Sequence, residues 1–158
     1  MSKKSILFVC LGNICRSPSA EAVMNAKLKQ HHLESKYRVD SAGITGFHAG
    51  EPADRRMQKH ALARGYNLTS ISRQVRADVD FEEFDYIIGM DDQNMIDLKS
   101  LTNSNEDLAK LSRMTDYCSE YSYDSVPDPY YGGAAGFELV LDLLEDACEG
   151  LISKIENE

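Results

Sequence analysis

Apolar strand patterns alternate with helical ones from end to end of this chain, and no other feature restricts its fold as much. Ser5 to Val9 reads as a buried strand, and Pro18 to about Gln30 as a helix with apolar positions Ala20, Ala22, Val23, Ala26 and Leu28. Ser17 is a good N-cap there, and Pro18 suits the first helical position because its missing N–H would have been unpaired anyway. A strand follows over Tyr37 to Ser41, then the loop "AGITGFHAGEP", then a second helix opened by Pro52 and closed by Gly65. Phe84 to Met90, "FDYIIGM", is the clearest later strand, with "DDQNMIDLKSL" helical behind it and a short fourth strand around Lys110 to Met114. The last helix runs from roughly Ala135 to Ile155, with Phe137, Val140, Leu141, Leu144, Cys148 and Leu151 on one face. Strands and helices alternating in this way predict an α/β fold, a four-stranded parallel sheet with helices on both faces. Ligands of such folds bind at the carboxyl ends of the strands.

The 158 residues suffice for one core and one domain, 1–158. The formal charge of −9 argues against nucleic acid or an anionic membrane as partner, since both require a basic face, so any anionic substrate must be held by local groups. No apolar run approaches the roughly 18 residues of a membrane span, and Met1-Ser2-Lys3-Lys4 leads into a strand rather than a secretory segment, so a cytoplasmic protein is expected. The four cysteines, Cys10, Cys15, Cys118 and Cys148, form no C-x-x-C pair, and the four histidines form no H-E-x-x-H, so no structural zinc is expected. Cys118 and Cys148 read as small buried hydrophobes.

The first strand runs directly into "CLGNICRSPS", at the junction with the first helix. A loop there whose backbone N–H groups turn inward makes a nest for an oxyanion, and the helix N-terminus adds partial positive charge. The nucleotide-binding forms of such a loop need G-x-x-x-x-G-K-[ST] or G-x-G-x-x-G, and neither occurs. What stands there instead is Cys10, five residues, then Arg16. N–H dipoles and a guanidinium hold a cysteine at the base of the nest as the thiolate, a nucleophile aimed at phosphorus. Arg16 supplies planar bidentate contacts to two phosphoryl oxygens. Leu11, Gly12, Asn13, Ile14 and Cys15 supply the loop; Gly12 permits close approach and Asn13 tolerates a left-handed backbone. Ser17 can also donate to the thiolate. Six residues beyond Cys15, Cys118 and Cys148 lie Glu21, Asp124 and Lys154, so only Cys10 has the arginine.

These residues resemble the signature loop of the low-molecular-weight protein tyrosine phosphatases. The likeness continues through "DSAGITGFHAGEPAD", "SRQV", "FDYIIGMDDQN" and "VPDPYYGG", over most of the chain and in the family's order. The resemblance implies a four-stranded parallel sheet, a cysteinyl-phosphate intermediate and a general acid in the Asp-Pro segment. By that likeness Cys10 is the nucleophile, Arg16 the phosphate clamp and Asp128 the acid, working without a metal or other cofactor on a phosphotyrosine protein or a small aryl phosphate. Asn13, Ser17 and Ser41 resemble the loop's hydrogen-bond supports, and Tyr130 and Tyr131 the aromatic wall of the cleft. Two positions depart: Phe47 stands where many members have Trp or Tyr, and Ser70 where animal members have a histidine supporting the loop's asparagine. Asp91, just beyond a strand end, reads as a helix cap or supporting group.

Two enzymes of the same fold are the alternatives. Arsenate reductases relay a disulfide through two further cysteines after the third strand, and residues 80–100 hold none. Protein arginine phosphatases typically carry threonine where Ile14 stands and Phe-Gly where Tyr130-Tyr131 stands. A non-catalytic phosphotyrosine-binding module would need neither Cys10 nor Asp128. Cys15, in the same tight loop as Cys10, is expected to act as a resolving thiol that traps an oxidised Cys10, or else to pack beneath the loop.

Overall fold

A computed structural model describes residues 3–158; Met1 and Ser2 of the stretch read as lacking a secretory segment lie outside the described residues. The elements in chain order are β1 (Lys4–Cys10), α1 (Arg16–Gln30), β2 (Tyr37–Gly43), α2 (Arg55–Ala63), α3 (Ala77–Glu83), β3 (Tyr86–Gly89), α4 (Asp92–Leu101), α5 (Asn105–Ala109), β4 (Leu111–Arg113) and α6 (Ala134–Glu156). Short 3-10 turns cover Glu34–Lys36 and Met114–Tyr117. The four strands form one parallel sheet in the order β2-β1-β3-β4.

The continuous apolar run of β1 makes it an interior strand, because both of its faces are covered. Ile6, Phe8 and Cys10 point into a core shared with α1 and α6, while Leu7 and Val9 point the other way, toward Phe81, Phe84, Met95 and Leu98. The period of two along a strand thus fixes which face the Cys10 sulfur joins. Parallel pairing brings Cys10 level with Gly43 on β2, and Val9 level with Gly89 on β3. Since β1 connects to β2 on one side and its neighbour β3 connects to β4 on the other, the chain leaves the carboxyl ends of these two strands in opposite directions and opens a crevice there. α6 closes the layer it shares with α1: a Cβ on Gly150 would lie 1.8 Å from the Tyr117 carbonyl oxygen, so the helix seats directly on backbone.

Two helix starts differ from the sequence expectation. α1 begins at Arg16 with Cys15 as its N-cap and no side-chain cap bond; Ser17 sits inside the first turn, with its hydroxyl turned to Cys10 rather than to the helix. Pro18 is therefore the third helical residue, still within the first turn, where its lack of an N–H loses no intrahelical bond. α2 starts at Arg55 because Asp54 caps it, accepting from the N–H groups of Arg56 and Met57, while Pro52 instead lies in a bridge to Ile71. Gly65, just past that helix, has φ 89°, the left-handed stop expected of it. α3 and α5 were not legible as helices. They are seven and five residues long, with only Asp80 and Phe81 buried in α3 and no residue buried in α5.

Candidate active site

The loop from Cys10 to Arg16 is held from outside by its own carbonyls. Those of Cys10, Leu11 and Ile14 accept from the backbone N–H groups of Ile44 (2.9 Å), Thr45 (3.0 Å) and Asp54 (2.8 Å), and that of Gly12 accepts from Ser72 Oγ at 2.9 Å. A trans peptide points its N–H opposite to its C=O. Tying four carbonyls outward therefore turns the N–H groups of Leu11, Gly12, Asn13 and Cys15 toward the hollow. Asn13 takes the left-handed conformation, φ 58°, as its residue type allowed. Its side chain offsets the strain: Nδ2 donates to Ser17 Oγ (2.7 Å) and Ser41 Oγ (3.0 Å), and Oδ1 accepts from the Arg73 N–H (3.0 Å). Gly12 is needed for room, since a Cβ there would lie 2.9 Å from His48 Cδ2.

Cys10 is buried at the floor of this nest. Its Sγ lies 3.1 Å from Ser17 Oγ and 3.4 Å from the Ser17 N–H nitrogen. Because Asn13 donates to the Ser17 oxygen, the serine proton is left for the sulfur or for the Ala42 carbonyl at 3.3 Å. Arg16 is buried, with Nη1 donating to Asp91 Oδ2 (2.6 Å) and to the Val126 carbonyl (3.1 Å). Burial alone would disfavour the guanidinium, but Cys10, the bond and charge of Asp91, and Asp128 together hold its pKa above the ordinary arginine value. Asp91 takes both roles read for it, capping α4 through the Asn94 N–H (2.7 Å) with one oxygen and orienting Arg16 with the other.

Above the nest is a cavity of about 340 Å³, floored by Cys10 and Arg16 and walled by Ile14, Phe47, His48, Asp128, Tyr130 and Tyr131. Asp128 lies at its mouth, with Oδ2 3.8 Å from Arg16 Nη2 and Oδ1 accepting from the Tyr130 N–H at 3.0 Å. The wall is a chain of aromatic edges: Tyr131 stands edge-on to Tyr130, and Phe47 edge-on to His48, each pair at 4.9 Å. Phe47 and Tyr131 are 85% and 95% exposed, so they rim the cleft rather than fill it. Thr45 and His48 also line the cavity and were not singled out from the sequence. The one available signal for His48 was Glu51 three residues on, whose Oε2 pairs with His48 Nδ1 at 2.6 Å.

Ser70 is not among the supports of Asn13. It borders a separate cavity of about 180 Å³ with Pro18, Glu21 and Tyr66, and Ser72, Arg73 and Ser41 hold the loop instead. Cys15 is buried, and burial, then Asp54, Cys10 and Asp128, push its thiol far above the ordinary range, so it is not a second thiolate. Burial with Asp146 pushes Cys118 up to about 12, and Cys148 is pushed up by burial in the core; neither lines the cleft.

The chain as a whole is similar to known proteins. Residues 5–158 match the family described as low molecular weight phosphotyrosine protein phosphatase. The low molecular weight phosphotyrosine protein phosphatase of Gallus gallus is 41% identical, over 96% of this chain and 95% of its own. A crystal structure of a protein tyrosine phosphatase from Entamoeba histolytica superposes with a TM-score of 0.95 at 50% identity, covering 98% of both chains. A Drosophila arginine phosphatase superposes with a TM-score of 0.87 at 29% identity, covering 95% of this chain and 96% of that one. With a cysteine nest, a buried arginine and an Asp-Pro segment converging on one crevice, the chain belongs to the low-molecular-weight phosphotyrosine protein phosphatases, a family of hydrolases.

Proposed function

We propose that the protein hydrolyses aryl phosphate monoesters, those of phosphotyrosine proteins foremost, through a cysteinyl phosphate on Cys10. The carrying observation is the sulfur itself, buried at the focus of the nest and met by both the N–H and the hydroxyl of Ser17. In the first step Cys10 attacks phosphorus in line, the S–P bond forming as the P–O bond to the ring breaks, and protonated Asp128 gives its proton to the leaving phenolate. In the second, the Asp128 carboxylate takes a proton from water as that water attacks phosphorus, releasing inorganic phosphate and the thiolate. The inward N–H groups and Arg16 hold the three equatorial oxygens, where charge accumulates in the loose transition state. Asp91 and the Val126 carbonyl fix the guanidinium, so little reorganisation is needed when the phosphoryl group arrives.

Ile14, Phe47, Tyr130 and Tyr131 can flank an aryl ring, whereas a short alkyl phosphate would leave them uncovered. Ile14 and Tyr130 also favour a ring over phosphoarginine, which the Drosophila neighbour makes the relevant competitor. A reductase relay gains no support, because Cys118 and Cys148 pack toward the Leu143 and Ala20 carbonyls rather than into the cleft. Among the described residues no helix is long and apolar enough to cross a membrane; a cytoplasmic enzyme acting on phosphoproteins is the setting we favour.

Hydrolysis rates of phosphotyrosine, phosphoserine and phosphoarginine, measured side by side, test the reading. Phosphotyrosine is expected to be turned over far faster than the other two, and Cys10→Ser to abolish turnover while still binding vanadate. Comparable phosphoserine rates, faster phosphoarginine hydrolysis, or substantial turnover by Cys10→Ser would each overturn it.

A further inference from the structure

The hydrogen bonds behind the nest have forced directions. Asn13 Oδ1 faces the Arg73 backbone N–H, which can only donate, so the amide nitrogen must face Ser17 and Ser41. An amide nitrogen also only donates, so both serine oxygens accept from it. The Ser41 proton must then find another acceptor, and the one within reach is Glu21 Oε1 at 2.6 Å. Ser41 is buried, so without that acceptor its hydroxyl would be frustrated or would turn away from Asn13. Asn13 carries the left-handed turn of the loop, and both its amide protons and its carbonyl oxygen are engaged.

We propose that Glu21 is a positioning residue for the oxyanion nest: by accepting the Ser41 proton it fixes Ser41 as acceptor for Asn13, and so holds the loop in its inward-turned form. This rests on the reading of the nest as the phosphoryl site. The role belongs to a lone pair, not to charge. Burial raises the Glu21 carboxyl above its ordinary range, with Asp40 adding to that rise while the Ser41 bond and Arg73 oppose it, yet either protonation state leaves an oxygen that accepts from Ser41. The Glu21 side chain also borders the 180 Å³ cavity with Asn25, Tyr66 and Ser70, so a substitute of similar length has space without repacking the core.

The test is a mutant cycle read by vanadate binding in a calorimeter and by kcat and KM for phosphotyrosine. Glu21→Met, of similar length but with no acceptor, should weaken vanadate binding and lower kcat by about tenfold, the scale of one lost buried hydrogen bond. Glu21→Gln, which keeps an acceptor, should stay within about threefold of the wild type, and in a Ser41→Ala background Glu21→Met should add less than about twofold because its partner is gone. Glu21→Ala, with the same expectations as Glu21→Met, serves if the methionine variant does not fold. An acceptor-free variant that binds vanadate like the wild type, a glutamine variant as impaired as methionine, or additive losses with Ser41→Ala would overturn the proposal. A wild type that binds vanadate but fails to hydrolyse phosphotyrosine would refute the proposed function instead, and the binding cycle would still decide the role of Glu21.

Discussion

Ser17→Ala removes one atom from the site and separates two roles. Ser17 Oγ is fully buried, lies 3.1 Å from Cys10 Sγ and accepts from Asn13 Nδ2 at 2.7 Å. A hydrogen bond to an ionised acceptor contributes about 1.5–3 kcal/mol. At about 1.4 kcal/mol per factor of ten, its loss should lower the reactivity of the sulfur roughly 10- to 100-fold. The Ser17 N–H at 3.4 Å remains, so the thiolate is weakened rather than abolished. Iodoacetate reads this directly, because only the thiolate is alkylated. With the hydroxyl gone from beside the sulfur, alkylation of the variant should lag the wild type by that factor under matched conditions. Orphaning the Asn13 N–H should also lower unfolding stability by about 1–3 kcal/mol in urea titrations. An unchanged alkylation profile alongside reduced stability would refute the thiolate role and leave Ser17 as scaffold alone.

Asp128→Asn should slow phosphotyrosine hydrolysis by about 10²-fold or more, yet slow an activated aryl phosphate much less, since that leaving group needs no proton; equal losses would mark Asp128 as structural. Gly150→Ala should lower the melting temperature by several degrees with the active site intact, because its Cβ would lie 1.8 Å from the Tyr117 carbonyl oxygen and that clash is with backbone; an unchanged melting curve would refute the seating of α6. Peroxide should inactivate the enzyme by converting Cys10 to the sulfenic acid; the Cys15 thiol then forms an S–S bond with loss of water, and a dithiol reverses it. Cys15→Ala should be active before oxidation and recover poorly afterwards, while absence of a Cys10–Cys15 bond by mass spectrometry of the oxidised wild type would leave Cys15 as packing alone.

What was legible in the sequence was local. β1, its run into Cys10 and the six-residue step to Arg16 form one continuous stretch, so strand, loop and helix announce themselves together. α6 shows a sustained apolar face, and the Asp-Pro-Tyr-Tyr segment carries its own signature. What was hidden is the scaffold behind the loop. Asn13 is held across 28 residues by Ser41 and across 60 by Arg73, and no periodicity reports on such partners. At Ser70, where animal members carry a histidine that supports the asparagine, no such support stands; three residues later the Arg73 N–H holds Asn13, and the Ser72 hydroxyl holds the Gly12 carbonyl. α3 escaped for a different reason: its turn is set by Asp80, which accepts from the Arg76 N–H at 2.7 Å and from Arg73 at 3.0 Å, a polar anchor inside an otherwise polar run.

The misplaced cap of α1 shows why propensity and function pull apart at this junction. A serine at the N-cap would spend its oxygen on an N–H of the first turn, which ordinarily stabilises a helix by about 1 kcal/mol. Here the cap residue is Cys15 with no side-chain bond, and the serine has moved two positions on, to face the sulfur. Of the first-turn N–H groups, that of Ser17 meets the sulfur and that of Arg16 is left for whatever anion enters the nest, with the helix dipole adding to its pull. Pro18 shortens that set by one donor without breaking any helical bond, since the first intrahelical bond already runs from the Ser19 N–H to the Cys15 carbonyl. On the proposed function, an incoming phosphoryl group would complete the N-cap of α1, which Cys15 leaves without a side-chain bond. The stability that a capping side chain would supply permanently would then be added on binding, as RT ln(1 + [L]/Kd), so phosphate or vanadate should raise the melting temperature of the protein.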